Sequence, residues 1–119
     1  MAAAQTLEHG GATAAAKLQD ADEEVRAMAV ETLGRLSTEE LATHAAALAA
    51  KLEDADAGVR LAVAETLGKL ASEDLAMHAA TLVAKLEDAD AGVRSAVAKT
   101  LGNLAPEVLA THAAALAAK

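Results

Sequence analysis

Three sets of side chains recur in this sequence at spacings that chemistry could use. The first is acidic and basic. An Arg follows an Asp by four residues three times, as Asp22–Arg26, Asp56–Arg60 and Asp90–Arg94, each with a further Asp two places upstream (Asp20, Asp54, Asp88). Residues four apart meet on one face of a helix. Two readings follow: a row of guanidinium groups that binds an anion, or a structural ladder in which Arg26, Arg60 and Arg94 tie adjacent units together through Asp20, Asp54 and Asp88. The second set is the Asp-Ala-Asp run. With Asp54 as position 1, Asp56 is position 3 and Glu65 position 12, the order of oxygen ligands in an EF-hand loop. Val59 stands where that loop needs Gly, and Lys99 replaces the closing Glu in the last copy. An acidic, solvated rim is the better expectation: Asp20, Asp22, Glu53, Asp54, Asp56, Glu87, Asp88 and Asp90. Such a rim attracts a basic partner.

The third set is His44, His78 and His112. Neighbouring helices lie about 8–10 Å apart, whereas imidazole ligands must converge on a metal at about 2 Å. One His per unit therefore cannot share a metal, and a hydrogen bond between helices is expected instead. Nucleophilic chemistry has no footing. Ser37, Ser72 and Ser95 stand in unrelated positions, and Thr32, Thr66 and Thr100 sit where a hydroxyl bonds back to the preceding turn. The chain has no Cys, so it offers no disulfide, thiolate or Cys-based zinc site. Gly10-Gly11 alone is not a phosphate-binding loop. No catalytic residue, cofactor site or metal site is expected.

The elements that position these residues are set by a repeat. Lys17, Lys51, Lys85 and Lys119 mark a frame of 34 residues without insertion or deletion, and 19 of the 34 columns are identical across 18–51, 52–85 and 86–119. A fixed period of this size signals a solenoid, in which each unit contacts only its neighbours. Each unit reads as two helices, A and B. In the first unit helix A runs from about Ala21 to Leu36, with Asp20 as its N-cap and Glu23 completing a capping box. Its apolar stripe is Val25, Ala29, Leu33 and Leu36. Gly34, Gly68 and Gly102 recur near its end, which fits either helix termination or a close backbone approach. Helix B runs from about Thr38 to Leu52, capped by Ser37 with Glu40 at the box position. In the third unit the only proline, Pro106, takes the first helical position. The inner stripe of helix B is Leu41, Ala45, Leu48 and Leu52. Residues 1–17 read as a worn helix B that caps the first helix A, giving seven helices in a single repeat domain.

Composition agrees with this class. The chain holds 36 Ala and 17 Leu in 119 residues and no Phe, Tyr or Trp. Small side chains must let helices approach closely, and Ala and Leu are also strong helix formers. A net charge of −8 with no aromatic argues against nucleic acid, which needs cations for phosphates and rings for bases. The N-terminus lacks a basic segment followed by an apolar run, so no secretory signal is expected, and no apolar stretch is long enough to span a membrane. A cytoplasmic setting is the default expectation.

The string LEDADAGVRLAVAETLGKL resembles the first helix of HEAT and armadillo-like repeats, through Leu52, Asp54, Asp56, Val59, Arg60, Val63, Leu67 and Gly68. The same set stands at 18–34 and 86–102, so the likeness covers nearly the whole chain. Val63 and Val97 are larger than the small residue that pattern favours, whereas Ala29 fits it. The tetratricopeptide pattern shares the period but needs aromatics and a late Pro in each unit. The resemblance implies an all-α superhelical solenoid that binds other proteins. It also implies the structural use of the Asp and Arg ladder, which tips the choice above away from anion binding. Some HEAT-like enzymes hold a di-iron centre with His-Glu pairs, and no His here is followed by Glu. Others act as bilin lyases, for which this chain offers no chemistry.

The function expected is therefore a non-catalytic scaffold for protein–protein interaction. The exposed face of helix B would present Glu39, Thr43, Glu73, Met77, Glu107 and Thr111 among Ala46, Ala50, Ala80, Ala84, Ala114 and Ala118. That face holds none of the Trp, Tyr or Arg that dominate binding hot spots. The alternative is self-assembly, with Leu109, Ala113 and Leu116 left open where a next helix A would dock. Units so alike are what recent duplication or deliberate idealisation would produce; a piece of a longer array is the further reading kept for the scaffold.

Overall fold

The computed structural model of the chain describes residues 11–118, and side chains to residue 117. Residues 1–10 of the expected N-terminal cap, the Ala118 side chain and Lys119 lie outside the described residues. Residues 11–17 are helical (α1), and their Ala14 is buried together with Leu18 just beyond them. Then follow α2 (Glu23–Leu33), α3 (Thr38–Thr43), α4 (Ala45–Ala50), α5 (Ala57–Leu67), α6 (Ser72–Ala76), α7 (Ala79–Ala84), α8 (Ala91–Leu101), α9 (Pro106–Thr111) and α10 (Ala113–Ala118). Short 3-10 turns at Lys51–Glu53 and Lys85–Glu87 lead into α5 and α8. No strand occurs among the described residues.

The first helices of the units, α2, α5 and α8, pack side by side in sequence order, and α4 and α7 pack against the first helix that follows each of them. One continuous apolar core results. Leu33, Leu41, Leu48, Leu52, Leu67, Leu75 and Leu82 are all fully buried within it. Val30 and Ala64 join that core beside the expected stripe, because the neighbouring first helix covers a second edge of each helix. The body is an all-α slab of 48 × 29 × 16 Å. No helix among the described residues is long and apolar enough to cross a membrane.

The helix starts differ from expectation by two residues. Asp22, Asp56 and Asp90 are the N-caps, each accepting a backbone N–H of the first turn. Asp20 instead accepts the N–H of Asp22 at 2.8 Å, closing a small turn ahead of the helix. The reason is local: Arg26 Nη1 donates to the carbonyls of Asp20 and Ala21, which are thereby withheld from the helix. At the other end the three glycines are right-handed, near φ −64° in each case (−65°, −63°, −64°), so none of them makes a left-handed cap. Close approach is the reason at Gly68, where a methyl group would sit 3.1 Å from Thr100 Oγ1 of the next unit.

Helix B is the larger surprise. It is interrupted at His44, His78 and His112, so the seven expected helices become ten segments among the described residues. His44 sits at φ −107°, ψ 3° and its N–H bonds back to Leu41, one residue short of the α-helical partner. In the first unit Thr43 Oγ1 takes the Glu40 carbonyl at 2.6 Å, which would compete for that bond. The second unit has Met77 there and breaks at the same place, so the hydroxyl is not the cause. The first two breaks lie between buried residues, Leu41, Ala45 and Leu48 in one and Leu75, Ala79 and Leu82 in the next. The third, at His112, recurs where Ala113 is exposed and Leu109 and Leu116 are only half-buried, so burial is not the cause either.

Candidate functional site

Chemistry-bearing residues concentrate along the seams between units. Arg26 donates from Nε to Asp54 Oδ2 at 2.8 Å and from Nη2 to Oδ1 at 2.9 Å. Arg60 holds Asp88 the same way, at 2.8 and 3.0 Å. Each fork is bidentate, the strongest geometry for this pair. Each Arg also ties down the turn of its own unit through Nη1; for Arg60 the acceptors are the carbonyls of Asp54 and Ala55. The side chains of Asp54 and Asp88 are 4% exposed. The fork therefore reaches a unit further on, and Asp22, four residues before Arg26, serves as a cap.

This pairing sets the electrostatics. Burial alone would raise the Asp54 carboxyl, but the Arg26 fork, the Asp56 N–H and the charge of Lys51 outweigh it and hold the group below its ordinary value. Asp88 is lowered chiefly by its bond to Arg60, against the opposing effect of burial. With both forks filled, Arg26 and Arg60 have no geometry left for an external anion. The third Arg differs. Arg94 donates from Nη1 to the carbonyls of Asp88 and Ala89, at 2.6 and 3.1 Å, and is exposed; its Nε and Nη2 find no acceptor among the described residues. At the other end of the row Asp20 is exposed and, among the described residues, its carboxylate accepts only the N–H of Asp22.

Other bonds join the units at points the sequence does not announce. Thr100 Oγ1 donates to the Ala64 carbonyl at 2.7 Å, across the seam rather than back along its own helix. Thr32 does bond back, to Met28. Lys69 and Asn103, which share a column, each donate to the glycine carbonyl of the preceding unit (Gly34 and Gly68). Ser72 Oγ accepts the N–H of Ala105, and Lys85 pairs with Glu53 at 2.8 Å. The column shared by Lys69 and Asn103 was the one available signal, since both are long donors facing a glycine.

The His row does not bond as expected. The three imidazoles are half-buried at the helix breaks and none makes a hydrogen bond among the described residues. No group of three or more His, Cys, Asp or Glu side chains among the described residues is placed to hold a metal ion. Asp54 and Asp56, the first ligands of the hypothetical calcium loop, are spent on Arg26 and on backbone N–H groups.

Two surfaces remain. On the second-helix side Glu39, Thr43, Glu73, Met77, Glu107 and Thr111 are all exposed, Met77 at 79%. On the first-helix side an open groove of about 510 Å³ runs between α5 and α8, past Leu61, Glu65, Lys69, Ser95, Lys99 and Asn103. At the last unit Leu109 and Leu116 are half-buried and Ala113 is exposed, whereas Leu41, Leu75, Leu48 and Leu82 in the same columns are fully buried.

The sequence pattern of HEAT repeats matches residues 11–78 and again residues 45–119. The chain belongs to the HEAT-repeat family. A search of curated proteins finds no match. The HEAT array accounts for the stacked first helices and for the single core shared by all units. HEAT repeats are commonly protein-interaction scaffolds and typically non-catalytic.

Proposed function

We propose that this HEAT array is a non-catalytic scaffold that binds a protein partner on its second-helix face. The observation that carries this reading is Met77. It is the most exposed large apolar side chain among the described residues, and it stands in the middle unit in a column otherwise filled by Thr43 and Thr111. Glu39, Glu73 and Glu107 mark each unit of the same face with a carboxylate. An apolar centre with acidic flanks suits a segment that offers an apolar anchor between Lys or Arg side chains. Titration of isotope-labelled protein with a synthetic Lys/Leu amphipathic helix tests it. Amide shifts centred on Met77 and Glu73, weakened several-fold by Met77→Glu, support the site; shifts confined to α2, α5 and α8 sink it.

A second reading is self-association through Leu109, Ala113 and Leu116, favoured by the half-buried leucines of α9 and α10. Light scattering over a concentration series separates the two readings. A mass of 11.9 kDa throughout excludes self-association and favours the scaffold reading.

A further inference from the structure

The row of Arg forks is complementary at its two ends. Among the described residues Arg94 has Nε and Nη2 to give, and Asp20 has a carboxylate that accepts only one local N–H. The helix beside Asp20 is also the least well filled of its kind. Gly11, Ala14 and Leu18 occupy the columns of Ala45, Leu48 and Leu52 in the first unit, and of Ala79, Leu82 and Leu86 in the second. Gly11 and Ala14 are buried, so α1 fills its slot with a Gly and an Ala where the next units use an Ala and a Leu. The slot has room for more at Gly11: a methyl group would lie 3.5 Å from His44 Nε2 and 3.6 Å from Leu36 Cδ1, ordinary contact distances. The same columns in α10 hold Ala113 and Leu116, the fuller set, and there they are exposed and half-buried.

We infer that α9 and α10 of one copy take the place of α1 in a second copy, so that chains stack head to tail with Arg94 of one on Asp20 of the next. This deepens the self-association reading and rests on it. The exchange sets α8 beside α2 of the second copy as α5 lies beside α2 within one chain. It puts the Arg94 fork where the Arg60 fork meets Asp88. It replaces the Ala14 methyl by the Leu116 side chain, which removes more apolar area from water. The occupant is thus another copy of this chain, selected by charge and by side-chain volume together.

Light scattering with refractive-index detection tests this on the full chain, since the protein has no Trp or Tyr to absorb. The wild type should associate as concentration rises. The pair Gly11→Ala with Ala14→Leu, which strengthens the resident helix, should move association to concentrations about tenfold higher or more, and Arg94→Asp and Asp20→Arg should each do the same. An equimolar mixture of Arg94→Asp and Asp20→Arg should recover association, because their reversed ends match; this recovery also shows that each variant is folded. A wild type that stays monomeric at every concentration overturns self-association and the exchange together. Association unaffected by the filled slot and by both charge reversals overturns the exchange alone.

Discussion

Asp88 accepts both arms of the Arg60 fork and the N–H of Asp90 with almost no access to water. Replacing it by Ala removes three bonds and leaves Arg60 half-buried without its carboxylate. Chemical denaturation followed by circular dichroism should show a loss of about 2 kcal/mol, in the range for bonds to charged groups. The pH dependence has a definite sign. The folded-state carboxyls of Asp54 and Asp88 lie below the ordinary value of 3.8. Their contribution is fully present above that value and is lost as pH falls through the lower folded-state values. The stability gap between wild type and Asp88→Asn should therefore stay constant from neutrality to about pH 5 and close below about pH 4. Two glycines in one column should respond oppositely. At Gly68 an added methyl meets Thr100 Oγ1, which is fixed on the Ala64 carbonyl, and Gly68→Ala should cost about 1–2 kcal/mol. At Gly102 only carbonyls of its own helix end are near, and Gly102→Ala should be neutral or add up to about 1 kcal/mol. Equal losses at the two sites would show that the seam is looser than described. The sequence marked both positions as special but gave no way to tell them apart, because the clash involves a residue 32 positions further on.

At the scale of the element, capping separates the units. Ser37 accepts the N–H of Glu40 and donates to its carboxylate, both at 3.1 Å. Ala71 occupies the same cap position in the second unit with nearly the same backbone angles, φ −62°, ψ 149°, and caps nothing. Ala71→Ser should stabilise the protein by about 0.5–1 kcal/mol in thermal melts, since the backbone is already in place to receive the hydroxyl. The Ser37 cap was readable from its spacing to Glu40. The start of the first helix is harder to read, because Asp20 and Asp22 are both good caps. The choice between them is made by the Arg26 side chain, which removes two carbonyls from the helix from six and five residues away. The break in helix B left no mark at all. No Gly or Pro stands at His44, His78 or His112, and the segment around each is compatible with an unbroken helix.

For the whole molecule, position in the array governs what a side chain contributes. Leu75 and Leu109 share a column, yet the first is fully buried and the second only partly. Leu75→Ala should cost about 3 kcal/mol, within the range for buried leucines, and Leu109→Ala less than half of that, measured by urea denaturation. The solenoid class was legible because a strict period needs no knowledge of contacts. The seams were less so: Arg26 and Asp54 lie 28 residues apart, and only the stacked geometry makes them neighbours. The same stacking has a consequence for the length of the chain. Asp88 stands one full period beyond Asp54, so cutting out residues 52–85 would return Arg26 to an acceptor in the register it has lost. The seam is thus indifferent to which unit supplies its far side. A shortened gene lacking that segment should still yield a cooperatively melting helical protein, whereas a cut of half a period should yield an unfolded one.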